Sequence, residues 1–334
     1  MSVIYILSDQ GKLGKRGEAL VLYHIDGKAT TIFPYKTDHL VAMGNISISG
    51  DAIRLITKNR LPMTFLSRNG KFNAKLTFGE NKNVFLRQRQ YNILNNPAES
   101  LAMARAIVLG KIQNQLCFMQ RIGRTRKLTA EEAAKVGAAI AQTKNYMAGA
   151  ASTDDMEKLR GLEGMAARTY FSVFALNLIP EWAEFKSRSK NPPESNVNAV
   201  LSFLYTLLMY RVESALESQG LDVYCGNLHA LTYGKTALVY DLMEEFRTPV
   251  ADAICCSLFN LGILYPEDFH TEEFPEEGCT GILLTKDGLN KVIAAFEEKM
   301  ETGINYQKII YAQAEQYRRV IAGEEAEYIP YHQK

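Results

Sequence analysis

The sequence predicts an α+β chain: a small N-terminal β-rich domain at residues 1–85 followed by a larger all-α domain at 96–334. Three observations predict it. Before residue 80, runs of Val, Ile, Tyr, Phe and Thr are punctuated by Asp26-Gly27 and Asn69-Gly70, dipeptides suited to the positive φ angles of a tight hairpin. From about residue 96 the apolar residues recur with the 3.6-residue period of a helix. At 334 residues the chain also exceeds what one typical core organises.

Taken in order, the β-rich part contains candidate strands at 2–8, 18–25, 28–34, 62–67 and 71–78. Ala52, Ile53, Leu55 and Ile56 give residues 50–60 a short helical pattern between strands. A helix over Leu101–Met119 opens the second domain. Thr129-Ala-Glu-Glu132 is a capping box that starts a helix running through 143. Asp154 opens another towards Leu178, and Lys186–Asn196, with Pro192-Pro193, reads as a surface loop. Helices follow at 197–219 and 236–262, an acidic loop at Glu267–Glu277, and two last helices at 285–302 and 305–322.

Hydrophobic residues make up 47% and charged residues 22%, a balance that excludes a disordered chain. The net charge of +1 hides an asymmetry. Residues 51–130 hold 15 basic and three acidic side chains, a local net of +12, so the remainder nets −11. Such segregation fits a polyanion partner; two solvated faces neutralised in space by the acidic part fit it equally. The five Cys are odd in number and form no CxxC pair, which points to free thiols in a reducing compartment. Met1 leads directly into Val3-Ile4-Tyr5-Ile6-Leu7, without the pattern of a signal peptide. The apolar stretch Val197–Tyr210 is shorter than the roughly 20 residues of a membrane span. A cytoplasmic protein with no membrane partner is expected.

With five His, no HExxH and no Cys/His ligand spacing, a zinc site is not expected. A P-loop, a GxGxxG turn and a GxSxG elbow are missing as well. Three segments go beyond simple packing. Leu159-Arg-Gly-Leu-Glu-Gly-Met-Ala-Ala-Arg-Thr-Tyr-Phe171 sets Glu163 between Gly161 and Gly164 inside a helical pattern. A mid-helix Gly costs about 1 kcal/mol relative to Ala, so two want a reason. Close approach of a backbone or ligand beside Glu163 is one; tight helix–helix packing with Glu163 exposed is the other. In Asp222-Val-Tyr-Cys-Gly-Asn-Leu-His-Ala-Leu231, His229 follows a Gly226-Asn227 turn and on its own reads as a core or capping residue. In Leu238-Val-Tyr-Asp-Leu-Met-Glu-Glu-Phe-Arg247, Asp241 and Glu244 share a helix face beside the apolar stripe, while Glu245 points further round and reads as solvated. Two carboxylates there need a cation or a basic partner such as Arg247. One imidazole with two or three carboxylates suits octahedral Mn²⁺ or Mg²⁺ better than tetrahedral zinc, and such a metal suits phosphodiester chemistry.

At these segments the chain resembles the universal CRISPR-associated integrase of spacer acquisition, the first-numbered Cas protein, over nearly its whole length. Met43-Gly-Asn-Ile-Ser-Ile48 and Met63-Thr-Phe-Leu-Ser-Arg-Asn-Gly70 resemble that family's β-domain signatures, and Lys111-Ile-Gln-Asn-Gln115 its KIxNQ helix. The Glu163 segment matches LxGxEGxxAxxYF. Asn191-Pro-Pro193 with Asn198-Ala-Val-Leu-Ser-Phe-Leu-Tyr205 resembles PPxDPxNALLSFxY, although Glu194-Ser-Asn-Val197 departs from the acidic-Pro pair. Gly226-Asn-Leu-His229, Asp241-Leu-Met-Glu-Glu-Phe-Arg247 and Tyr328-Ile-Pro-Tyr331 resemble the GFLH, DLxExFR and YxPF motifs, with Asn227 where an aromatic or Leu is common.

The resemblance implies metal ligands at Glu163, His229 and Glu244, with Asp241 close by in support, and Mn²⁺ or Mg²⁺ as the cofactor. It also implies a homodimer built largely through the β domain, association with the small ferredoxin-like second-numbered Cas protein, and a catalytic helical domain. The implied reaction is integration, in which the 3′-hydroxyl of a captured protospacer attacks a phosphodiester at the CRISPR repeat edge; metal-dependent DNA cleavage is expected alongside. A general nuclease on branched or single-stranded DNA and a non-catalytic nucleic-acid scaffold are the rival readings. Arg168 and Lys235 are candidate phosphate contacts, or ordinary surface charges. Asn198, Ser202 and Thr206, spaced by four, face either the site or a neighbouring helix.

Overall fold

A computed structural model describes residues 2–67, 72–76, 83–189, 192–274 and 278–333. The chain divides into two compact units, Met1–Glu80 and Asn81–Lys334.

The first unit is one six-stranded sheet. Its strands are β1 (Ser2–Arg16), β2 (Ala19–His24), β3 (Ala29–Ile32), β4 (Thr37–Ile48), β5 (Met63–Leu66) and β6 (Phe72–Leu76), in the order β3-β2-β1-β4-β5-β6. β4 runs parallel to β1 and to β5; the other pairings are antiparallel. Gly27, at φ 80°, makes the predicted turn between β2 and β3. The Asn69-Gly70 hairpin signal lies outside the described residues.

β1 is twice the length expected, and β4 was not expected at all. The reason for the second is burial. Thr37 and the run His39–Met43 are buried, so this central strand lacks the alternation that marks a half-exposed one. A helix, α1 (Gly50–Lys58), starts on the Ser49 side chain, which accepts from the Ala52 N–H. It packs Leu55 and Ile56 into a core with Ile6, Leu13, Leu20, Leu40 and Met63.

The second unit contains α2 (Val84–Leu94), α3 (Pro97–Thr125), α4 (Ala130–Ser152), α5 (Met156–Phe174), α6 (Asn196–Ser218), α7 (Ala237–Phe246), α8 (Ala253–Asn260), α9 (Lys286–Glu301) and α10 (Tyr306–Ala322). The Thr129–Glu132 capping box is formed as predicted. α2 was not foreseen because its apolar residues do not share a face: Val84 and Phe85 are exposed, whereas Gln90 is buried. Gln90 instead bonds the 222–225 turn, donating to Asp222 and Cys225 carbonyls and accepting from the Asp222 N–H.

The second unit is predominantly helical, as expected, with two departures. A hairpin of β7 (Phe269–Phe274) and β8 (Cys279–Leu284) includes much of the segment expected to be an acidic loop. The predicted helix 236–262 is also interrupted, since a π-helical segment, Arg247–Asp252, joins α7 to α8. α6 is long and apolar enough to cross a membrane by composition, but it serves as a core helix, with Val197, Leu201, Leu204, Leu208 and Val212 buried.

Candidate active site

The site is built from three helices and one turn of the second unit. α3 supplies Lys111, α5 supplies Glu163, α7 supplies Asp241 and Glu244, and the turn before α7 supplies His229. The turn is held against its surroundings. The Arg160 Nε–H donates to the Leu228 carbonyl at 2.7 Å, and the Leu238 N–H to the Val223 carbonyl at 3.0 Å. Gly226 is required here, because a Cβ would lie 2.6 Å from the Ala237 carbonyl carbon.

Asp241 organises the turn. Its Oδ2 accepts the N–H groups of Asn227 (2.6 Å) and Leu228 (2.9 Å), and its Oδ1 accepts the His229 N–H (3.0 Å) and Nδ1–H (2.7 Å). A carboxylate has about four acceptor positions, so this fully buried one is saturated. With Nδ1 carrying the hydrogen, the lone pair of His229 sits on Nε2, 3.8 Å from Glu244 Oε1. The sequence left Asp241 open between a ligand and a supporting group; its bonds are those of a positioning residue.

Glu163 and Glu244 face one ammonium. Lys111 Nζ is hydrogen-bonded to Glu163 Oε1 and stands 2.6 Å from Glu244 Oε2. Arg247 Nη2 approaches the other Glu244 oxygen at 3.1 Å. Burial pushes the Glu244 carboxyl up, but Arg247, Lys111 and His229 together hold it down at about 2. For Lys111, burial works against the charged form, and Glu244 and Glu163 outweigh it, raising the ammonium above its ordinary value. Neither flanking glycine of Glu163 is packed: among the described residues, a Cβ at Gly161 or Gly164 would meet nothing within 4 Å. Tight helix packing therefore does not explain them, and that face of α5 is open.

These groups line a cavity of about 530 Å³ that sequence reasoning only partly found. Arg188, on the loop expected at the surface, donates to Asn198 Oδ1 and Ser202 Oγ, both at 3.0 Å. The Asn198 and Ser202 of the four-residue stripe thus hold an arginine, while Thr206 bonds back to the Ser202 carbonyl. The guanidiniums of Arg188 and Arg247 lie 5.3 and 5.0 Å from the Tyr205 ring centroid. Tyr205 and Tyr170 donate to the two oxygens of buried Asp252, at 2.6 and 2.8 Å. Burial raises the Asp252 carboxyl despite those hydrogen bonds. Lys235 lines the cavity with its Nζ 5.4 Å from the Tyr240 ring, whereas Arg168 is exposed on α5 outside it. Tyr205 closes the segment that resembles PPxDPxNALLSFxY and Arg188 lies in the 186–196 loop, but sequence reasoning assigns neither a role, and nothing in the sequence points to Asp252.

Glu245 overturns its reading as solvated. It is fully buried on the opposite side of α7, because the chain's last residues cross there. Tyr328 Oη lies 2.6 Å from Glu245 Oε1, and the Tyr331 N–H donates to Oε2 at 2.7 Å. Asn114 of α3 holds the same strap, donating to the Tyr331 carbonyl and accepting from the Gln333 N–H. Gly110 lets it pass: a Cβ would lie 2.5 Å from Pro330.

Among the described residues, no three His, Cys, Asp or Glu side chains stand close enough together to hold a metal ion as they are. The donor chemistry nevertheless fits a hard divalent cation. Two carboxylates already share one positive charge, an imidazole nitrogen faces one of them, and Glu244 Oε2 is buried without a directed hydrogen bond.

Fold and site together define a class: a β-rich unit joined to a helical unit that presents carboxylates and an imidazole to a cavity lined by lysine and arginine. Residues 4–298 match the family model described as CRISPR associated protein Cas1, and the chain belongs to that family. A CRISPR-associated endonuclease Cas1 of Thermus thermophilus is 33% identical, covering 99% of this chain and 97% of that one. A second, from Chlorobaculum tepidum, is 31% identical over 92% and 88%. Among solved structures, a Cas1 protein from Thermotoga maritima shares the fold with a TM-score of 0.83 at 22% identity, each chain fully covered. A casposase bound to an integration product gives 0.85 at 18% identity, covering 100% of this chain and 95% of that one.

Proposed function

We propose that the protein is a metal-dependent DNA endonuclease and integrase of CRISPR spacer acquisition. The observation that carries the reading is that Glu163 and Glu244 meet at one cation, with His229 Nε2 3.8 Å from Glu244, in an arginine- and lysine-lined cavity. The names of its relatives, CRISPR-associated endonucleases, and of the casposase with its integration product support it.

In this reading Glu163, His229 and Glu244 hold Mn²⁺ or Mg²⁺, which when bound stabilises charge on the scissile phosphate. The 3′-hydroxyl oxygen of the captured protospacer gives up its proton to solvent, which supplies one to the leaving oxygen, and forms a bond to phosphorus. The bond from phosphorus to the 3′-oxygen of the repeat strand breaks, and that oxygen leaves as a hydroxyl once protonated. Asp241 fixes the tautomer and direction of His229. Arg247, held by Glu244 and Tyr205, and Lys235, beside Tyr240, draw the phosphate into the cavity. The β-rich unit serves dimerisation and DNA contact, and the basic residues of 54–75 and 105–127, apart from Lys111 buried in the cavity, track duplex phosphates without reading sequence. The small second-numbered Cas protein is the expected partner, in the cytoplasm.

The test is strand transfer of a labelled short duplex into a supercoiled plasmid carrying a CRISPR repeat, with the small Cas partner, Mn²⁺ or EDTA, and Glu163→Ala. A branched product that needs metal and is lost in the variant is expected. Cleavage without joining replaces this reading with a general nuclease. DNA binding that is indifferent to chelator, with neither reaction, replaces it with a scaffold.

A further inference from the structure

We propose that Lys111 is an exchangeable internal cation: its ammonium neutralises Glu163 and Glu244, and a divalent metal takes that position only by displacing it into the cavity. The inference rests on the metal reading of the site.

Charge balance carries the argument. Within the group formed by Glu163, Glu244, Lys111 and Arg247, two negative charges meet two positive ones. With the Asp241 carboxylate behind His229 counted as well, adding a divalent ion without removing anything would set four positive charges against three negative ones in a buried place, and losing one monovalent cation restores the balance. Uncompensated charge of that kind is expensive where water is excluded. One cation must leave, and the structure distinguishes which. Arg247 is held twice, by Glu244 Oε1 and by the Tyr205 ring. Among the described residues, Lys111 holds only the two carboxylates a metal would claim. Its ammonium ends a flexible four-carbon stem and is a compact charge that re-aims readily. The side chain already lines the cavity, so its way out is into the space the scissile phosphate would occupy.

The spacing of the donors agrees. The ammonium stands between the two carboxylates, and no three ligand-type side chains close to metal-holding distance among the described residues. Removing the ammonium lets Glu163 and Glu244 approach a smaller ion. A phosphodiester then brings a negative charge that both the metal and the displaced ammonium can meet. Metal and DNA therefore favour each other's entry, and Lys111 is the side chain that exchanges partners.

The experiment follows the reactivity of Lys111 in the wild-type protein without DNA. Lysines are acetylated with N-hydroxysulfosuccinimide acetate in EDTA or in saturating Mn²⁺ at equal ionic strength, and each site is quantified by peptide mass spectrometry. Labelling of Lys111 rises severalfold with Mn²⁺, while exposed Lys286 is unchanged. Calorimetric titration gives the second readout: Lys111→Met binds Mn²⁺ about tenfold more tightly than wild type, and Lys111→Arg does not. Mn²⁺ binding that is lost in Glu163→Gln but leaves Lys111 labelling unchanged overturns the exchange and leaves the metal reading standing. Absence of Mn²⁺ binding in the wild type and in Lys111→Met overturns both.

Discussion

Glu244 and Glu245 are neighbours on α7, both deeply buried, and their surroundings drive them to opposite protonation states. Glu244 faces the cavity, where Lys111 and Arg247 hold its carboxyl ionised down to about 2. Glu245 faces the C-terminal strap, where burial raises its carboxyl to about 8 even though the Tyr328 hydroxyl and the Tyr331 N–H stand within hydrogen-bond distance. The hydroxyl of Tyr328 shows why the proton stays. It lies within hydrogen-bond distance of both Glu245 Oε1 and Gln313 Oε1 but has one hydrogen to give. A protonated Glu245 donates to Tyr328, which donates to Gln313, and every group is satisfied. What separates the two glutamates is therefore which neighbours arrive from distant chain, a cation in one case and a hydroxyl in the other.

The comparison can be broken most severely on the cavity side. Glu163→Ala or His229→Ala removes a group on which the proposed chemistry depends, and strand transfer falls by about 100-fold or more, while circular dichroism keeps the native form. Retained activity in either variant ends the site assignment. On the opposite side, ending the chain after Glu327 removes Tyr328 and Tyr331, the latter stacked on Phe246 at 5.6 Å. Loss of such buried aromatic contacts costs about 3 kcal/mol or more, read as a fall in Tm of roughly 10 °C. An unchanged Tm would mean that the strap is decoration.

Glu245→Gln sharpens the contrast through pH. The native carboxyl keeps its proton up to about 8, whereas the unfolded one loses it near 4.5. Between those values the native state binds the extra proton, so this group lowers stability as pH rises, by at most about 1.4 kcal/mol per unit, and levels off above 8. Urea denaturation from pH 5 to 8 shows a flatter profile in the Gln variant; parallel profiles would place an ionised Glu245 in the native state. The smallest effects belong to the rim. Lys235→Ala, in the cavity lining, weakens DNA binding by about threefold and lessens its salt dependence, whereas Arg168→Ala changes binding by less than about twofold. Equal losses by fluorescence anisotropy would extend the DNA path along α5.

The same two glutamates mark the limit of what residue order reveals. Helix period and the capping box made most of the helical unit readable, and the family-like segments located Glu163, His229, Asp241 and Glu244. The sequence cannot tell a solvated helix face from one covered later by residues 328–333, and so Glu245 was misplaced. Lys111 stood in plain view in its motif, but its partner Glu163 lies 52 residues away, and no periodicity links them. β4 and α2 were missed because the apolar pattern that marks an element is erased in both, in β4 by a continuous buried run and in α2 by a buried Gln90 beside exposed Val84 and Phe85. The hairpin of β7 and β8 was hidden by acidic residues, half-buried Glu272 and exposed Glu273 among them, that read as loop.

The π-helical stretch Arg247–Asp252 has a consequence for how the chain tolerates changes in length. A π turn holds an extra residue relative to an α turn, and this one lies between Glu244 on one side and Asp252 on the other. Deleting a single residue here lets the backbone relax into continuous α-helix and leaves α8 in nearly its present phase, because an α turn needs one residue fewer than the π turn it replaces. One residue deleted from the regular helix beyond, between Asp252 and Leu258, has no such slack and turns the apolar face with Leu258 and Phe259 by about 100° out of its seat. Along these six positions, unlike the α turns on either side, the chain can lose a residue and keep its register.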